Sequence, residues 1–396
     1  MFKSKSILIR LSDHDYNVLS VKSLIFNTDK SKLLRDSALS YWDSHGDDFD
    51  SEEIIKLYKS GDEVVKGSVV DILFEYYRRT GYPHRKLSTY QMEQEMQKIS
   101  VTKDPLLEND HLQINSCGIT LPNFFHPHMV KVRNKTGNRS PYGQYISDDF
   151  LKDAIKRWLD LGKNVNPSGI RRILKIRDGV KGVVNFKPAI SKYFYDNYVP
   201  RNGVVLDPCS GYSGRLAGCI ATNKNLLYHG IDPCSNTATG NMKMAGYFGS
   251  LYSAIEKTPK WSFRFRFDLG CAEDVMPLLK EEYDLIFTSP PYFDVEEYES
   301  LPNQSYIRYP EYDKWRDDFL GVIIKESFRL CKVGGYVILN VKNYKKYPIA
   351  DDTLSIAENV GLKLIKTYQM RMTNVEFRLK DNDMWHSAPI YVFRKE

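Results

Sequence analysis

Gly203-Val204-Val205-Leu206-Asp207-Pro208-Cys209-Ser210-Gly211-Tyr212-Ser213-Gly214-Arg215 decides the fold of this chain. The apolar run at its start reads as a short buried strand, which Asp207-Pro208 ends. Glycines at 211 and 214 let the backbone turn tightly and approach a neighbour closely, and a helix follows over 213–222. In a doubly wound sheet, the turn after the first strand is where a nucleoside ligand lies, outside the carboxyl ends of the strands. A lone glycine turn serves equally well as a plain left-handed corner, so its meaning depends on what surrounds it.

Downstream, strands alternate with helices from about residue 180, the pattern of a parallel α/β sheet. Further strands are expected over 226–231, 263–269, 283–287 and 336–341, with a helix over 313–330 and a closing antiparallel hairpin from 362–372 and 389–394. Upstream, the chain reads as mainly helical. Ser51-Glu52-Glu53 opens one helix, a second runs over 69–79 until Gly81 and Pro83, and a third starts at Ser88 or Thr89 and runs through Met96. Gly118, Pro122, Pro127 and Gly137 make 115–138 a turn-rich connector. A helix over 148–162 carries Phe150, Leu151, Ala154, Ile155, Trp158 and Leu159 on one face, and 168–177 adds a second basic helix. Residues 1–50 read as an irregular or helical lead-in. At 396 residues, two domains are expected: 1–180, mainly helical, and 181–396, α/β.

A composition of 42% hydrophobic and 27% charged residues is that of a soluble globular protein rather than a disordered one. The net charge of +6 is modest, but its distribution is not. Between 131 and 192, Lys131, Arg133, Lys135, Arg139, Lys152, Lys156, Arg157, Lys163, Arg171, Arg172, Lys175, Arg177, Lys181, Lys187 and Lys192 face only Asp148, Asp149, Asp153, Asp160 and Asp178. Arg139, Lys156, Arg157, Arg171 and Arg172, with Tyr142, Tyr145 and Trp158 interleaved, suit a phosphate backbone; a solvated helix face explains them too. Six cysteines never form a CxxC pair, so neither a zinc ribbon nor a redox dithiol is supported. With no signal-peptide core and no apolar run near 18 residues, a cytoplasmic protein with no membrane partner and no metal is expected.

Two more features keep the glycine turn company. Asp232 ends the second strand, where a carboxylate accepts ribose hydroxyls. No GxGxxG and no Walker lysine is present, so a ligand with ribose and adenine but no phosphate, S-adenosylmethionine, fits better than a dinucleotide or triphosphate. Thr288-Ser289-Pro290-Pro291-Tyr292 then follows the apolar run Leu285-Ile286-Phe287. Two prolines cannot continue a strand, so this is a stiff turn at a strand's carboxyl end that holds a hydroxyl, carbonyls and an aromatic face in fixed relation. Such a loop grips a flat group carrying an NH2.

This loop resembles that of the amino-methyltransferases that modify exocyclic amines of nucleic-acid bases, in the serine form typical of N4-cytosine enzymes. Asn185-Phe186-Lys187-Pro188, a helix, and then Val205-Leu206-Asp207-Pro208 look like the cofactor-binding pair of the same family. The resemblance covers residues 180–396. It implies a class I methyltransferase, Rossmann-like, mostly parallel sheet behind a mainly helical N-terminal domain. By the same resemblance Phe186 and Pro188 flank the methionine part and Asp207, Pro208, Gly211 and Gly214 shape the main turn. Asp232 then holds the ribose, Glu273 or Asp274 meets the adenine, and Thr288 completes the cofactor site. The family turn is DPFxGxG, whereas here Ser213 stands at the second glycine position and Gly214 one place later. Tyr76-Tyr77-Arg78-Arg79-Thr80-Gly81-Tyr82-Pro83 and Ser140-Pro141-Tyr142-Gly143 look like stretches of phage and mobile-element methyltransferase-like proteins, which supports a target-recognition role for 1–180.

The implied activity is S-adenosylmethionine-dependent methylation of DNA on a base amine, N4 of cytosine ahead of N6 of adenine, within a restriction system or a phage. Ser289 and Pro290 draw the amine towards tetrahedral geometry, Pro291 stiffens the loop and Tyr292 stacks on the base. Phe293 adds a second aromatic wall, or else packs beneath the loop. Double-stranded DNA would have to flip its target base into this site. RNA base-amine methylation is the nearest alternative, and a catalytically inactive nucleic-acid-binding protein is the alternative from another class.

Overall fold

A computed structural model describes residues 51–113, 115–134, 139–176, 182–251, 261–298, 301–344, 347–371 and 387–396. The expected lead-in over 1–50, the basic residues Lys135, Arg177 and Lys181, and Met372 lie outside these. The chain packs as two units, Met1–His84 with Gly137–Gly182 and Arg85–Thr136 with Val183–Glu396. The single boundary expected at 180/181 therefore differs from the packing, because Met92, Met96, Ile99, Leu112 and Leu121 are buried in the same apolar cluster as the sheet residues Val205, Leu285 and Ile338.

The first unit is helical, with Ser51–Ser60, Glu63–Thr80, Pro141–Tyr145, Asp148–Asp160 and Pro167–Ile176. Asp62 caps the second helix by accepting from Val65 N at 2.9 Å, and Gly81 at φ 82° ends it. Ile72, Tyr76, Leu151, Ile155 and Ile170 form its core. Buried tyrosines spend their hydroxyls on neighbours, Tyr77 on Val165 O and Tyr145 on Tyr77 O, each at 2.6 Å. The short helix at Pro141 was not anticipated; Pro141 occupies its first turn, where no backbone donor is needed.

In the second unit the strands are β1 His111–Leu112, β2 Arg133–Asn134, β3 Val204–Asp207, β4 Leu226–Asp232, β5 Phe263–Leu269, β6 Tyr283–Thr288, β7 Glu296–Glu297, β8 Cys331–Asn340, β9 Leu362–Arg371 and β10 Ser387–Lys395. Eight of them form one sheet in the order β1-β9-β10-β8-β6-β3-β4-β5. Strand β3 lies parallel to both β4 and β6, with Val205 beside Leu285 and Leu206 beside Ile286. Strand β10 alone runs antiparallel to its neighbours β8 and β9, as the expected hairpin requires. This is the class I methyltransferase Rossmann-like arrangement expected from the sequence, mostly parallel with one reversed strand near its edge.

Side chains alternate across the sheet, so Val205, Leu285 and Phe287 enter one core and Leu206, Ile286 and Val337 the other. Phe287 meets Phe186, Phe194 and Tyr195 edge-on at 5.5, 5.3 and 5.7 Å between ring centres. Each such pair contributes about 0.5–1.5 kcal/mol beyond area burial, which fixes the strand carrying Thr288 against the segment carrying Phe186. The connector 115–138 is more regular than expected: it holds a helix at Thr120–Phe125, a tight turn at Pro127–Lys131 and β2, which pairs with β7. No helix among the described residues is long and apolar enough to cross a membrane.

Candidate active site

Strand β3 delivers Asp207 fully buried. Its carboxylate accepts from Arg215 Nε at 2.7 Å and Nη2 at 3.1 Å and from the Tyr228 hydroxyl at 2.5 Å. Burial, with Asp207 beside it, pushes the Tyr228 hydroxyl well above its ordinary pKa, so it remains a donor. Arg215 also donates to Cys209 O and lies 5.4 Å over the Phe186 ring. Asp207 thus braces the turn from below. Arg215 and Tyr228, which hold it, escaped the sequence reading because an arginine in a helix's first turn ordinarily faces solvent and a strand tyrosine reads as plain core.

Above this brace the turn closes. Ser210 N donates to Ile231 O at 2.9 Å, tying Pro208-Cys209-Ser210 to β4. Gly211 has φ 55° and Ser213 φ 61°, both left-handed. A Cβ on Gly214 would lie 2.3 Å from Phe186 O and 2.5 Å from Asn185 Oδ1, so only glycine lets the Asn185-Phe186 segment press onto the helix start. Asn185 completes the contact by donating to Tyr212 O at 2.5 Å, and Pro188 opens the helix Pro188–Tyr198 behind it.

Asp232 ends β4, half-buried, with Oδ2 accepting from Gly211 N at 2.9 Å and Oδ1 from Cys234 N at 3.0 Å. Burial pushes its pKa up to about 6, against the two amide donors. A carboxylate has roughly four acceptor positions, so two remain for a vicinal diol. Glu273 and Asp274 sit together after β5 and share Arg308, which reaches Glu273 Oε1 at 2.7 Å and the two Asp274 oxygens at 2.7 and 3.0 Å. Glu273 is the buried member, and burial raises its pKa although Arg308 opposes. Of the two expected adenine contacts, Glu273 lies in the protein interior and Asp274 faces outward.

The second motif leaves β6 next door. Thr288 is fully buried, and its Oγ1 accepts from Cys209 N at 3.2 Å. Ser289 Oγ donates to Asn340 Oδ1 at 3.4 Å, and Asn340 is held by its Nδ2 on Pro389 O at 3.1 Å. Asn340 ends β8, the next strand along, so its place depends on strand order. Pro290 is buried, while Pro291 and Tyr292 are half-buried. Burial, then Glu296, raises the Tyr292 pKa, leaving a neutral phenol. Phe293, at φ 54° and 3% exposure, packs on Tyr347, Tyr312 and Trp315 at 4.9, 5.5 and 5.7 Å. That is a core position beneath the loop and not an open aromatic wall. Beyond it, Tyr298 donates to Glu296 at 2.5 Å and lies 6.0 Å from the Tyr212 ring, which joins the outer loop to the glycine turn.

The expected substrate-binding residues Arg139, Lys156, Arg157, Arg171 and Arg172 all belong to the helical unit. Lys156 pairs with Asp160 at 3.2 Å, Arg171 donates to Pro83 O at 2.9 Å, and Arg139 lies 4.2 Å over the Phe150 ring. Arg157 and Arg172 are exposed. Sequence reasoning also passed over His126, which is buried and bonded to Ser213 at 2.6 Å.

No protein-family model matches this sequence, and no curated protein matches it. Among solved structures, it is similar to a TehB-like SAM-dependent methyltransferase from Corynebacterium glutamicum, with 15% identity, 54% of this chain and 90% of that chain covered, and a TM-score of 0.35. TrmN from Thermus thermophilus shares 14% identity over 53% of this chain and 49% of its own, at a TM-score of 0.35. An rRNA methylase from Streptococcus thermophilus shares 11% over 54% of this chain and 98% of its own, at 0.33. Likeness of this degree says nothing of substrate.

Proposed function

We propose that this protein is an S-adenosylmethionine-dependent methyltransferase acting on an exocyclic base amine of DNA, N4 of cytosine ahead of N6 of adenine. The observation that carries the reading is the hydrogen bond between Thr288 Oγ1 and Cys209 N, which sets the serine loop directly against the glycine turn. Asp232, Gly211 and the Phe186 segment would hold the donor, and when bound it supplies a methyl group on a sulfonium. Ser289 spends its proton on Asn340, so its lone pairs are left to accept an amine N–H. The Pro290 carbonyl offers a second acceptor, and together they favour a pyramidal nitrogen whose lone pair points at the methyl. After transfer the nitrogen sheds one proton. The exposed Arg157 and Arg172 support a polyanionic substrate.

Labelled methyl donor is offered with duplex DNA and, separately, with structured RNA, followed by nucleoside analysis. Label in N4-methylcytosine or N6-methyladenine of DNA is expected. Label in RNA alone overturns the choice of polymer, and absence of label in both overturns the activity.

A further inference from the structure

Ser213 occupies a backbone conformation that favours glycine, at φ 61° and ψ 8°, and its side chain is fully buried. Two hydrogen bonds hold it there. Its Oγ donates to Asn241 Oδ1 at 2.7 Å and lies 2.6 Å from His126 Nε2. Since the hydroxyl proton is spent on Asn241, the imidazole must donate, which places its proton on Nε2. Nδ1 is buried without a partner, so it is the bare nitrogen of a neutral ring. Burial, then the neighbouring His128, holds His126 well below its ordinary pKa, in agreement.

From Ser213 the hydrogen bonds continue in one direction. Asn241 Nδ2 donates to Gly211 O at 2.8 Å and to Thr237 O at 3.1 Å, which fixes the orientation of its amide. Gly211 N in turn donates to Asp232 Oδ2 at 2.9 Å. The ring has little room to move, because a Cβ on Gly240 would lie 2.3 Å from His126 Cε1. An unbroken chain therefore runs from His126 through Ser213, Asn241 and Gly211 to the carboxylate at the end of β4.

We propose that His126 is a positioning residue for the methyl-donor site: its Nε2 proton holds Ser213 left-handed and so sets Gly211 and Asp232 for the ribose. The proposal rests on the reading of Asp232 as a ribose acceptor. It explains why this chain tolerates serine where glycine would be at ease. A glycine at 213 would hold the same conformation unaided and would have no use for His126.

The test is calorimetric titration of the full chain with S-adenosylhomocysteine, with thermal unfolding as a control. His126→Phe keeps a ring and loses the donor, whereas His126→Gln loses the ring and keeps an amide donor at similar reach. His126→Phe is expected to weaken binding about tenfold, the worth of roughly one missing hydrogen bond, with His126→Gln within about twofold of the parent. In the Ser213→Gly background, His126→Phe is expected to have no further effect. The reverse order, with Phe tolerated and Gln not, assigns His126 to packing and overturns the proposal, as does an undiminished loss in the Ser213→Gly background. If His126→Phe does not fold, Ser213→Ala deletes the accepting hydroxyl instead; it should weaken binding while Ser213→Gly does not, and equal binding by both overturns the proposal. No binding by the parent chain overturns the donor reading itself and this proposal with it.

Discussion

Thr288 Oγ1 accepts a hydrogen bond from Cys209 N at 3.2 Å, so the last residue of β6 is fastened to the turn that leaves β3. The strands are neighbours in register, and the bond carries that alignment past their ends, to where backbone pairing has stopped. Thr288→Val keeps the shape and removes the acceptor. An orphaned buried amide costs about 1–3 kcal/mol; the Cys209 amide is part-buried, so the variant should lose about 1 kcal/mol in urea unfolding and bind S-adenosylhomocysteine more weakly.

Ser289→Ala should leave donor binding intact while turnover falls roughly 10²–10³-fold, the range seen when one well-aimed polar group is removed from a reacting centre. Asn340→Leu should lower kcat as well, because the Ser289 hydroxyl then turns freely and its proton competes for the amine. Single-turnover assays beside calorimetry separate binding from chemistry, and unchanged turnover in Ser289→Ala removes it from the mechanism.

Asp232 titrates near pH 6 in the fold, above its ordinary 3.8. Its folded value is raised, so the ionised form is disfavoured by folding: stability should fall as pH rises from about 4 through 6 and then level off. Donor binding should run the other way, strengthening as the carboxylate ionises and offers both oxygens to the ribose. Titrations at pH 5 and 7.5 should differ in the parent and coincide in Asp232→Asn.

Arg215→Met strands the Asp207 carboxylate in the core, with Tyr228 its one remaining side-chain donor among the described residues. Removing one member of a buried pair costs about 3–5 kcal/mol, and denaturant unfolding should show it. Arg215→Lys should recover little, since an ammonium cannot span both carboxylate oxygens and Cys209 O in the same plane.

Arg157→Glu with Arg172→Glu should weaken duplex binding and flatten its dependence on salt, by about one unit of log–log slope for each phosphate that is no longer neutralised. S-adenosylhomocysteine affinity should not change. Equal DNA affinity at several salt concentrations would leave these helices as ordinary solvated faces.

Strands β3, β4 and β6 were legible in the sequence because each carries an apolar run bounded by turn residues, β5 because Phe263, Phe265 and Phe267 alternate with charged residues, and the Asp207 and Thr288 turns follow from where the runs of β3 and β6 stop. Asn340 was not legible as a partner of Ser289: it ends a strand whose neighbour is β6 only because of the crossover order. His126 lay in a stretch read as connector, and its partners Ser213 and Asn241 are far away in sequence. Phe293 was open to two readings in the sequence. Beside Pro-Pro-Tyr it invited a role in stacking or a place beneath the loop, and its ring lies buried against Tyr347, Tyr312 and Trp315. The two-residue strands β1, β2 and β7 are too short to show any periodicity.

Residues 85–136 leave the ribosome before any residue of β3, yet Met92, Met96, Ile99 and Leu121 are buried with that strand. His111 and Leu112 pair with Gln369 and Met370, which are made much later. The helical unit has all its residues by 182, before any residue of β3 is made, so it can close ahead of the sheet. The sheet's outermost strand β1 is thus made first and paired late, which gives this fold long-range contacts of the kind that slow folding.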